Sequence, residues 1–122
     1  MNNDYWGYLE IIGSIREDLQ RYSTEVNYSE IFSDRQGIFN FIYDEYHPDT
    51  NRHISDDEWF KIWIALGRIG LENGLLSKEM KGRLSDIIKI DINTYKEYAE
   101  ENEFDELMKD YRYIKLNIDD KK

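Results

Sequence analysis

Residues 55–74, reading SDDEWFKIWIALGRIGLENG, constrain this chain more than any other stretch. Ser55 and Glu58 stand three apart, the spacing of a capping box in which each side chain satisfies the other residue's backbone N–H. Asp56 and Asp57 place negative charge at the positive end of the helix dipole. Trp59, Ile62, Trp63, Leu66 and Ile69 then recur at helical spacing. Phe60, Ile64 and Leu71 lie off that face, which leaves only a thin polar strip through Lys61, Arg68 and Glu72. A helix apolar on nearly every side is buried on most of them, so this segment is expected to be a hub. Asn73-Gly74 ends it, because glycine readily takes the left-handed conformation of a helix C-cap.

Helical spacing recurs on both sides of the hub. Tyr5, Tyr8, Leu9, Ile12, Ile15, Leu19 and Tyr22 form the stripe of a first helix, with Asn3 or Asp4 as its cap. Trp6 lies off that stripe, and periodicity is lost from Ser23 to Ser33. A second helix starts at Ser33 or Asp34 and presents Ile38, Phe39, Ile42 and Tyr46, widened by Phe41 and Tyr43. It must stop near His47, since Pro48 disfavours helical geometry in the residue before it. Ser77 caps a further helix with Met80, Leu84, Ile87 and Ile88 inward, running into a turn at Asp91-Ile92-Asn93. Beyond it, Tyr95, Tyr98 and Ala99 share one face, while Phe104, Leu107, Met108 and Tyr111 lie half a turn away. One straight helix cannot bury both sets, so a break is expected near Glu101–Glu103. Tyr113–Ile118 alternates apolar and polar residues, the pattern of a short C-terminal strand. The expected fold is therefore mainly α: one domain over 1–122, a compact bundle of about five helices around a central helix 56–72, with that strand at its end.

The charge narrows the function. Twenty-six acids against 16 bases give a net charge of −10. Nucleic acids and anionic membrane surfaces repel such a chain, because both are bound mainly by neutralising phosphates, whereas a basic protein is attracted. Cysteine is absent, which excludes disulfides and thiolate metal sites. No signal sequence and no apolar run of about 20 residues is present, so the expected location is the cytoplasm. His47 and His53 are the only histidines, and no phosphate-binding, zinc-helix or dinucleotide motif occurs. The residues thus indicate no enzyme, no cofactor and no metal.

His47–Glu58, twelve residues between two apolar helices, resembles a degenerate EF-hand loop. Asp49, Asn51, Ser55 and Glu58 match its oxygen-ligand positions and Ile54 its apolar position. His47 replaces the first aspartate, however, and Arg52 the glycine of the sharp turn. Both changes oppose a hard cation, so a plain helix–loop–helix is the favoured reading; a transition-metal site on His47, His53 and Asp49 is weaker still.

Tyrosine beside carboxylate is the recurring surface motif. Ten tyrosines are present, several of them among acids: Tyr43, Asp44 and Glu45 form one patch, and Tyr95, Glu97, Tyr98, Glu100, Glu101, Glu103, Asp105 and Glu106 another. Seven acids and one base lie between Glu97 and Asp110, and Tyr111 flanks that window. Tyrosine supplies contact area with few rotors, and carboxylates pair with arginines on a partner. In size, acidity and aromatic–acid patches the whole chain is similar to the bacterial immunity proteins that neutralise colicin or contact-dependent growth-inhibition toxins. That resemblance implies a basic toxin domain, a nuclease, as partner and occlusion of its active surface as mechanism. A phage-type inhibitor or nucleic-acid mimic has the same physics, and a degenerate EF-hand regulatory module is the alternative of a different class.

Overall fold

A computed structural model describes residues 7–24, 35–47, 56–98 and 101–118, without the side chains of 56, 57, 97, 98 and 101. Five α-helices are described: α1 (Tyr8–Thr24), α2 (Arg35–Tyr46), α3 (Asp56–Asn73), α4 (Lys78–Ile87) and α5 (Glu101–Asn117). A 3-10 helix over Ile92–Tyr98 separates the last two. The expected caps at Asn3, Asp4, Ser33, Asp34 and Ser55, the side chain of Trp6, and residues 48–55 of the calcium-type loop lie outside the described residues. Among the described residues, no helix is long and apolar enough to cross a membrane.

The hub is α3. Phe60, Trp63, Ile64, Leu66 and Ile69 on it are fully buried, and α1, α2, α4 and α5 all pack against it. Contacts advance together along α3 and α5, with Tyr111 near Phe60, Ile114 at Gly67 and Asn117 beside Gly70 and Gly74, so these helices run parallel. Along α2 they run backwards: Gln36 Nε2 donates to the carbonyl of Leu75, Phe39 meets Gly70, and Tyr43 lies against Trp63. Shape decides this face. A Cβ on Gly67 would stand 2.5 Å from Leu84 Cδ2, and one on Gly70 2.6 Å from Leu76 Cδ2. An added methyl at either position requires the neighbouring leucine to shift.

Several local signals act as the sequence indicates. Gly74 has φ 68°, and the N–H groups of Gly74 and Leu75 donate to the carbonyls of Leu71 and Gly70, which closes α3 in a Schellman motif. The Ser77 hydroxyl accepts the Met80 N–H at 3.1 Å and caps α4. Asp91 opens the 3-10 helix by accepting the Asn93 N–H on its carboxylate. The last helical region is broken earlier than expected: the 3-10 helix ends at Tyr98, and residues 101–103 are already the first turn of α5.

Two expectations are corrected. Tyr113–Ile118 is the end of α5 and not a strand: Ile114 and Ile118, four apart, are buried, while Leu116 between them is 83% exposed. Three apolar residues at period two fit a strand on paper, but only a helix can bury the outer pair and expose the middle one. In α1, Leu9 is 41% exposed and Ile11 fully buried, a small rotation of the stripe. The described part of α1 begins at Tyr8, just after Gly7, whose N–H donates to the Glu10 carboxylate at 3.2 Å. The polar strip of α3 is covered at one end: Lys61 is only 2% exposed, Arg68 is half-buried with Nη1 donating to Asp110 of α5, and Glu72 is exposed.

Candidate functional site

The acids and tyrosines read as partner-binding separate into three groups. The first has become core. Asp110, inside the acidic window, is only 5% exposed. Its carboxylate accepts the Tyr8 hydroxyl at 2.5 Å and Arg68 Nη1 at 3.1 Å. Tyr111 is buried as well, with its hydroxyl reaching the carbonyls of Ile88 at 2.8 Å and Ile90 at 2.9 Å. That bond ties the turn after α4 to α5. Neither residue can face a partner, which corrects the extent of the acidic face.

A second group is half-buried and packs on aromatic rings. Tyr95 stacks on Phe60 with centroids 4.2 Å apart and planes within 5°. Tyr43 lies against Trp63 at 5.6 Å and His47 at 4.7 Å. Both spend most of their ring area on the core, leaving an edge outward.

The third group faces solvent. Asp44 and Glu45 are exposed on the last turn of α2, and Asp105 is exposed on α5. Glu106 is half-buried, with Lys109 Nζ 3.7 Å away. Glu103 is half-buried because its carboxylate lies over Gly7, in space that a Cβ there would occupy. The first turns of α1 and α5 are therefore neighbours, and Glu10 joins Glu103 at the same place. Sequence reading missed Glu10, which lies 93 positions from Glu103 and outside every acidic run. Glu100 and the side chains of Glu97, Tyr98 and Glu101 lie outside the described residues.

Along α5 the charge reverses. Glu103, Asp105 and Glu106 precede Lys109, Arg112 and Lys115, which suits the helix dipole at both ends. The acidic face is thus the N-terminal half of α5 together with the start of α1. Among the described residues, no group of three or more histidines, cysteines or acids could hold a metal ion.

Behind this face lies a polar cluster, buried at Tyr8 and Asp110 and open to solvent at Arg16 and Glu72. Arg68 Nε donates to Glu72 at 3.0 Å, and Glu72 also accepts from Arg16. The Arg68 guanidinium lies 3.8 Å from the centroid of the Tyr113 ring. Burial raises the Tyr8 hydroxyl well above its ordinary pKa, and the Asp110 charge adds to the effect. Burial also pushes the Glu72 carboxyl up, but hydrogen bonds from Arg16 and Arg68 outweigh it and hold the group below its usual range. This cluster joins α1, α3 and α5 and so sets the relative position of the two acidic first turns.

Comparison with known proteins finds no matching family, no similar curated protein and no similar solved structure.

Proposed function

We propose that this protein binds a basic protein partner and inhibits it by occluding its active surface, as an immunity protein does to a toxin nuclease. The observation that carries the reading is a net charge of −10 with carboxylates gathered where two helices begin, Glu10 on α1 and Glu103, Asp105 and Glu106 on α5. Such a face steers a cationic partner toward it, and arginines on that partner can form bidentate pairs with the carboxylates. Exposed Leu9, next to Glu10, supplies apolar contact inside the charged rim. Asp44 and Glu45 form a second, smaller acidic patch on α2.

The test is capture of a partner from the source cell, with co-expression of the adjacent gene product, followed by binding kinetics. Association with the captured protein is expected to be fast and to slow with salt, because rim charges act mainly on the on-rate. Asp105→Lys should weaken binding while shifting stability by less than about 0.5 kcal/mol, as exposed substitutions do. Asp44→Lys with Glu45→Lys, on the other patch, should matter less. An acidic partner, or binding indifferent to salt and to both charge reversals, overturns the reading.

A further inference from the structure

The chain is strongly acidic, yet one groove in it is lined by arginines. An open groove of about 360 Å³ lies at the end of α1, bounded by Arg16, Gln20, Ser23 and Thr24 of α1, Arg35 of α2 and Asn73 of α3. Among the described residues, no carboxylate lines it. Its volume falls within the range of small-molecule sites, toward the small end.

Both guanidinium groups are held by the last turn of α3. Arg16 is bound by Glu72, and Arg35 Nη2 donates to Asn73 Oδ1 at 3.2 Å. Consecutive residues of one helix therefore position two cations contributed by two others. Each arginine carries five N–H donors and uses only part of them in these bonds, so donors remain for a ligand. Glu72 does not cancel the charge, since Arg68 shares it. Among the described residues that line the groove, the charged ones are Arg16 and Arg35, both basic.

The hydroxyl groups have a different role. Ser23 Oγ donates to the Leu19 carbonyl at 2.6 Å and Thr24 Oγ1 to the Gln20 carbonyl at 3.0 Å. Their protons are committed, so toward the groove they present lone pairs. The lining thus combines two fixed cations with two hydroxyl acceptors. A phosphate monoester fits the first pair, carrying about −1.5 to −2 charge at neutral pH with three acceptor oxygens. Sugar hydroxyls, as donors, fit the second. We propose that this groove binds a small phosphorylated polyol of the sugar-phosphate class.

The proposal is independent of the acidic face, and its test needs no protein partner. Glucose 6-phosphate, glucose and citrate would each be titrated into the intact protein while backbone amide shifts are followed by NMR. Glucose 6-phosphate is expected to give saturable shifts confined to the end of α1, Arg35 and Asn73, with little response to glucose or citrate. Arg35→Ala, an exposed change, should weaken the effect at least about tenfold, and Arg112→Ala on α5 should leave it intact. Gln20→Ala offers a second variant that leaves both arginine contacts in place. Absence of saturation at about 10 mM, equal binding of citrate, or unchanged binding by Arg35→Ala would each overturn the proposal.

Discussion

The two sides of α3 are held to the rest of the molecule by different physics. Trp63, Gly67 and Gly70 share one face at helical spacing, and there the fit is steric: Leu84, Ile114, Leu76 and Phe39 fill the space the glycines leave. Arg68 and Glu72 lie on the opposite face, and there the fit is electrostatic: Asp110, itself bonded to Tyr8, meets Arg68, and Arg16 meets Glu72. The steric face accepts added volume only if neighbouring side chains shift, and it is indifferent to pH. The electrostatic face depends instead on each charge keeping its complement. Buried charge clusters seldom add stability over an apolar replacement, but removing one partner strands the others.

The largest expected effect is on the steric face. Trp63 is fully buried, and Trp63→Ala should lower unfolding free energy by about 3–5 kcal/mol in a denaturant titration. A loss under about 1 kcal/mol would mean that α3 is not the hub. On the opposite face, Asp110→Ala leaves the Tyr8 hydroxyl and one side of Arg68 without their acceptor, for an expected loss of about 2–3 kcal/mol. The partial exposure of Arg68 keeps this below the cost of a fully enclosed charge. A Tyr8→Phe, Asp110→Ala cycle sharpens the contrast: the double variant should lose less than the sum of the singles. Additivity would show that the two groups do not act together.

Gly67→Ala is next, at about 1–3 kcal/mol, because the new methyl meets Leu84 and Ile114. Gly82→Ala is the control, since nothing lies within 4 Å of a Cβ there and alanine suits a helix better. If Gly67→Ala were as harmless as the control, the close approach on the steric face would be wrong.

Changes of pH should act on the electrostatic face rather than the steric one. Because the folded-state pKa of Tyr8 is raised, its contribution is complete below the unfolded value of about 10 and is lost as pH rises beyond it. Glu72 has the reverse sign. Its folded pKa is lowered, so its contribution is present above the unfolded value of about 4.3 and fades as pH falls below it. Melting temperatures across pH should therefore decline at both ends. Tyr8→Phe should flatten the alkaline limb, although burial also raises Tyr46 and Tyr111, so some slope remains. Glu72→Gln should flatten the acid limb. An unchanged alkaline limb in Tyr8→Phe would remove Tyr8 from the account.

Local signals carried most of the helix assignment. The periodicity of residues 56–72, the Ser77 cap, the stop before Pro48 and the left-handed Gly74 all depend on neighbours within about one turn, and such short-range preferences can be read from the chain directly. The end of α5 misled for the same reason. A run of six residues fits two periods, and only the neighbours against which Ile114 and Ile118 pack choose between them. The acidic window shows where sequence stops. Glu103, Asp105, Glu106 and Asp110 look alike along the chain, yet Asp105 is exposed while Asp110 is buried. What separates them is Tyr8, 102 positions from Asp110, and Arg68, 42 positions away. Likewise, no spacing rule brings Glu10 to Glu103, or Arg16 to Arg35, because each pair meets only after the helices dock. The sequence by itself determined that helices form and which one lies at the centre, since backbone preference and apolar spacing are local properties. Only the tertiary structure decided which charges are surface and which are core, because burying a charge requires a complement that another part of the chain must supply.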